Sequence, residues 1–118
     1  MYKNRDASDY INDILTAISD IQSFTRGMSF EDFEKDKKTV NAVIRSLEVL
    51  GEATKKIPKP LRQQNPEIPW NQMAGMRDIL IHDYMGVDLK TVWNVTQERL
   101  SVLKPFLERI RNLGDDHS

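Results

Sequence analysis

Apolar residues recur along this chain at steps of three and four, the spacing that lines one face of an α-helix. From Ser8, the residues Tyr10, Ile11, Ile14, Leu15, Ile18, Ile21 and Phe24 form a first stripe, which Gly27 ends. Ser29 with Asp32 reads as the cap of a short helix, SFEDFEKD. A second long helix is expected from about Asp36, with Val40, Val43, Ile44, Leu47, Leu50 and Ile57 in one stripe. Gly51 interrupts it at a cost on the order of 1 kcal/mol against alanine, and is read as a point of close helix approach. The stretch IPKPLRQQNPEIP is a connector with one short helical turn around Leu61. Trp70 opens a third long helix, WNQMAGMRDILIHDY, and Gly86 breaks the chain after it. Asp88 is placed to cap a fourth, whose stripe runs through Leu89, Val92, Trp93, Leu100, Leu103, Phe106, Leu107 and Ile110. Pro105 falls inside that stripe and predicts a kink there.

No stretch keeps a period of two for long enough to make a strand. The expected fold is therefore all-α, an antiparallel bundle of four main helices plus short helical segments. It occupies residues 1–113 as a single domain, with 114–118 as a frayed tail.

Composition narrows the chemistry. The chain has 118 residues, 30% of them charged, and a net charge of -1, so no global positive field draws it to nucleic acid. It has no cysteine, which removes disulfides, thiolate metal sites and cysteine nucleophiles. No apolar run approaches the roughly 18 residues of a membrane helix, and MYKNRDASDY has no signal-peptide core. A soluble cytoplasmic domain without membrane partners is the expectation. The five glycines are scattered singly, so no phosphate-binding loop is present, and no histidine pair has metal-ligand spacing. Neither a metal nor a cofactor is expected.

What remains is RDILIHDY, residues 77–84, which holds Arg77, His82 and Tyr84; His117 in the tail is the other histidine. Arginine holds a phosphate bidentately, and histidine exchanges a proton near neutral pH. Together they suffice for metal-free RNA cleavage, in which His82 removes the ribose 2′-hydroxyl proton or protonates the leaving oxygen. Arg77 stabilises charge growing on the phosphoryl oxygens, and a 2′,3′-cyclic phosphate results. Five residues of regular helix turn through about 140° beyond a full circle, so Arg77 and His82 do not share a face. Either the helix unwinds before His82, or the two side chains meet groups of a second chain in a symmetric dimer. Against this stands a plain reading: an arginine binding nearby carbonyls, a histidine favoured by a helix C-terminus, and a tyrosine anchor.

The segment IPWNQMAGMRDILIHDYMGVD resembles the signature region of the HEPN superfamily in its HepT-like toxin branch. The motif Arg, four residues, His, one residue, Tyr falls on Arg77, His82 and Tyr84, and IRSLEVLGEA at 44–53 resembles that family's second-helix pattern. The resemblance implies an all-helical homodimer with a ribonuclease site of Arg and His at its interface. It also implies a minimal nucleotidyltransferase antitoxin that transfers AMP from ATP to Tyr84, silencing the toxin. The family's usual residue after the arginine is Asn; here it is Asp78, which lowers the positive charge of the cleft. Asp78, Arg45 and Glu52 are candidates for supporting the site, although Arg45, Glu48 and Glu52 also make an ordinary helix-surface ion network. Lys55, Lys56, Lys59 and Arg62 are candidate RNA contacts, or else cations complementing a helix C-terminus. The competing function is a non-catalytic helical module that binds a nucleotidyltransferase.

Overall fold

Helices begin in this protein where a short side chain can take up the free N–H groups of a first turn. Asp6 accepts from the Asp9 backbone at 3.1 Å while Asp9 accepts from that of Asp6, and α1 runs Ala7–Thr25. This reciprocal cap starts the helix one residue before the expected Ser8. Ser29 and Asp32 repeat the arrangement for α2, Phe30–Lys35, and Gly27 supplies the positive φ of the turn before it. Asp36 accepts from the Thr39 backbone and hydroxyl and starts α3, Lys37–Lys55. Then come α4, Lys59–Gln64, and α5, Trp70–His82. Asp88 caps α6, Leu89–Asn94, which passes through a π-helical turn, Val95–Arg99, into α7, Leu100–Asp116. The computed structural model describes residues 6–82 and 88–116, and the side chains of 6–76 and 88–113. Among the described residues there is no strand, and no helix is long and apolar enough to cross a membrane.

One expectation is corrected. Ile57 is buried but lies beyond the end of α3, because the residue before Pro58 is disfavoured in helical conformation. The fourth long helix also departs from α geometry at Val95–Arg99, a turn the apolar stripe does not announce, and helix continues through Pro105. In addition, α7 extends to Asp116, so helix reaches three residues into the segment read as a tail.

The core follows the stripes. Ile11, Ile14, Ile18 and Ile21 of α1 meet Val43, Leu47 and Leu50 of α3, with Leu100 and Leu107 of α7 beside them. α3 packs on α1 on one side and on α5 on the other, and α7 packs on α1. Thr25 at the end of α1 bonds Gln97, and Ala7 and Ser8 at its start line a groove with Ile110 and Arg111, so α1 and α7 are antiparallel.

Candidate active site

The start of α5 is fixed by groups on the connector before it. The Trp70 indole donates to the Asn65 carbonyl at 3.0 Å, and Trp70, Ile68 and Met73 are buried. Further back, the Arg62 guanidinium donates to the carbonyls of Thr54 at 2.7 Å and Ile57 at 3.1 Å. α5 is thereby launched beside the C-terminus of α3 and runs back along it, carrying residues 77–82 toward the N-terminal half of α3.

Helix is continuous from Trp70 to His82. Of the two alternatives the spacing left, unwinding before His82 does not occur. The side chains of Arg77, Asp78 and His82, and Tyr84 altogether, lie outside the described residues. The chain resumes at Asp88, whose carboxylate accepts from the Lys90 backbone at 3.0 Å and the Thr91 hydroxyl at 2.9 Å. Just beyond, Trp93 packs against Phe33 with ring centroids 5.2 Å apart, and the Lys90 ammonium sits 4.5 Å from the Phe30 ring centre. These contacts fasten α6 to α2.

A cleft of about 340 Å³ opens between α5 and the helix formed by the π turn and α7. Its apolar lining includes Met73 and Met76 on one wall and Val95, Leu103 and Phe106 on the other. Val102, also on that wall, is 61% exposed. The polar members are Glu67, Gln72, Glu98 and Arg99. Met76 is the last residue of α5 with a described side chain. The π turn that carries Glu98 and Arg99 is held by the Thr96 hydroxyl donating to Trp93 at 2.8 Å and by Gln97 donating to the Thr25 hydroxyl at 3.1 Å. Neither the cleft nor Arg99 was foreseen from the sequence. The one local trace is that Val92, Thr96 and Leu100 are buried at successive steps of four.

The remaining candidates separate. Arg45 pairs with Glu48 at 3.3 Å and is itself 75% exposed, an i,i+3 surface pair; Glu52 is exposed with a contact of its own. Lys55, Lys56 and Lys59 are exposed at the end of α3 and the start of α4. That is the end of the bundle where α5 begins, and thirteen helical residues extend roughly 18 Å, so within one chain these lysines lie far from His82. Arg62 is committed to the carbonyl of Thr54 in the last turn of α3 and to that of Ile57 just beyond it, the capping alternative for a cation at that position. Among the described residues, no group of three or more His, Asp or Glu is arranged to hold a metal ion. Asp36 is held below the usual carboxylate range first by the Thr39 backbone N–H and then by its hydroxyl. Asp88 is lowered in the same sense, first by the Thr91 hydroxyl and then by the Lys90 backbone N–H.

The family model for HepT-like ribonucleases matches residues 14–110. The chain is 50% identical over 107 residues to "Probable ribonuclease HepT" of Thermococcus cleftensis, covering 91% of this chain and 97% of that protein. It is 47% identical over 106 residues to "Putative RNase MJ0125" of Methanocaldococcus jannaschii, covering 90% and 91% respectively. It is 39% identical over 101 residues to "Putative RNase TTE0752" of Caldanaerobacter subterraneus, covering 86% and 90%. No solved structure gave a significant match.

Proposed function

This chain belongs to the HepT-like ribonuclease family, and on that footing we propose that it is the toxin of a toxin–antitoxin pair, a metal-independent endoribonuclease acting as a homodimer. The observation that carries the two-chain reading is the unbroken helix from Trp70 to His82. On one such helix Arg77 and His82 diverge; across a two-fold axis, Arg77 of one chain faces a phosphate that His82 of the other can reach.

The chemistry is then ordinary transesterification. His82 takes the proton of the ribose 2′-hydroxyl, the 2′-oxygen forms a bond to phosphorus, and the bond from phosphorus to the 5′-oxygen breaks. That oxygen leaves with a proton from water, and the imidazolium returns its own. Arg77 bears the charge that builds on the non-bridging oxygens through a bidentate pair of N–H donors. The products are a 2′,3′-cyclic phosphate and a 5′-hydroxyl.

Tyr84 stands two residues beyond His82 and is the proposed acceptor of AMP, transferred from ATP by a cognate minimal nucleotidyltransferase. A nucleotide phosphate at that position brings negative charge next to Arg77 and repels an RNA backbone. Silencing thus needs no change of fold.

The test uses partner-free protein whose intact mass shows no modification. In EDTA it is expected to cut single-stranded RNA, and the His82→Ala variant is expected not to. RNA left whole by the unmodified wild type would leave the chain a binding module for its partner.

A further inference from the structure

The arginines with described side chains differ in what holds them. Arg45 is paired with Glu48 and Arg111 with Glu108, Arg62 caps α3, and Arg109 lies over the Phe106 ring at 5.6 Å. Arg99 is exposed and has no ion pair or ring contact among the described residues. It is also the only cation among the described residues lining the cleft beside α5, where Glu67 and Glu98 are the described carboxylates. Arg26 is likewise exposed but lies at the end of α1, off that cleft.

The position of Arg99 is set by the π turn. A π turn closes through i→i+5 hydrogen bonds and so holds one residue more than an α turn; such turns concentrate at functional sites. Here the turn is anchored on both sides, by Thr96 to Trp93 and by Gln97 to Thr25, a residue 72 positions away on α1. The anchored turn puts Arg99 on the wall opposite Met73 and Met76, one residue short of Arg77 along α5.

We propose that Arg99 binds a phosphate of the RNA next to the scissile one, so that the strand enters Arg77 and His82 along this cleft. The proposal rests on the ribonuclease reading. A guanidinium with no partner among the described residues can take a phosphate bidentately. The apolar lining, with Met73, Met76 and Phe106, gives unpaired bases a surface to lie on, as single-strand binding requires. Among the described lining residues Arg99 is the one group that attracts a phosphate, since Glu67 and Glu98 repel it.

The experiment titrates a labelled single-stranded RNA with the full-length His82→Ala protein, which does not consume it, with and without Arg99→Gln. Arg111→Gln, at the opposite end of the bundle, is the control with the same charge change. Arg99→Gln is expected to weaken binding roughly tenfold and to reduce the slope of log affinity against log salt by about 1, while Arg111→Gln does neither. In the cleaving protein, Arg99→Gln is expected to raise KM roughly tenfold with kcat within about twofold, since the contact precedes chemistry and persists through it. Equal affinity and salt slope for Arg99→Gln and Arg111→Gln overturn the proposal. So does a fall in kcat at unchanged KM, or a dimer that dissociates on the Arg99 substitution, which would make Arg99 an interface residue. If the His82→Ala protein binds no RNA and the wild type cuts none, the ribonuclease reading itself fails, and Arg99 with it.

Discussion

Arg62 separates a structural cation from an RNA contact, and its removal has a magnitude that follows from its two hydrogen bonds. Its Nε donates to the Ile57 carbonyl at 3.1 Å and a terminal nitrogen to that of Thr54 at 2.7 Å, in a half-buried setting. Thr54 also receives the Ile57 backbone N–H, so it keeps a donor when Arg62 goes, whereas Ile57 has no second one shown. A hydrogen bond to a charged group contributes about 1.5–3 kcal/mol; taking the low end for Ile57 and less for Thr54, Arg62→Ala costs roughly 2 kcal/mol. For a chain of this size that is roughly 6–10 °C in Tm. Urea unfolding followed by tryptophan fluorescence reads it directly, because Trp70 starts the helix that Arg62 helps to launch. Arg62→Lys is expected to recover only part of the loss, since an ammonium cannot span two carbonyls with a planar fork. A loss under about 0.5 kcal/mol, or RNA affinity falling while stability holds, would refute the capping role.

Other consequences follow from the same geometry. Phe33 is fully buried against Trp93, and Phe33→Ala is expected to cost about 3–5 kcal/mol and to shift the Trp93 emission; a loss below about 1 kcal/mol would show that α2 and α6 are not packed this way. Asp36 and Asp88 have folded pKa values below their unfolded ones, so their stabilisation is complete above the ordinary carboxylate pKa and is lost as pH falls through the folded values. Melting temperature should therefore drop in acid, and the double variant Asp36→Asn, Asp88→Asn should flatten that limb; an unchanged limb would contradict the caps. Coexpression with the nucleotidyltransferase and ATP should add AMP mass to the wild type and none to Tyr84→Phe, and equal masses would remove Tyr84 from the acceptor role.

Much of this architecture was legible because its determinants are local. Ser29 with Asp32, Asp36 with Thr39, and Asp88 with Lys90 are caps closed within three residues, and the stripe of α3 needs only its own periodicity. The parts that escaped are closed over distance. The C-terminal role of Arg62 was one of two readings of its cluster, and only its bonds to Thr54 and Ile57 decide between them; Gln97 bonds Thr25 across 72 residues, so the π turn leaves no pattern along the chain. The departure from α geometry at Val95–Arg99 carries no proline or glycine to announce it. The site divides in the same way. Arg77, His82 and Tyr84 stand within eight consecutive residues and were read at once. The cleft at Met73 and Met76 is assembled from Leu50, Glu67 to Met76 and Val95 to Phe106, and exists only after folding.

The central claim is that one active site takes its arginine from one chain and its histidine from another. The direct measurement mixes two inactive proteins, Arg77→Ala and His82→Ala, by refolding them together, and assays RNA cleavage in EDTA with end-group analysis. Statistical pairing makes about half the dimers mixed, each with one intact site, so about a quarter of wild-type activity should return, yielding 2′,3′-cyclic phosphate ends. A mixture as silent as its components, while mass measurements show mixed dimers present, would contradict it.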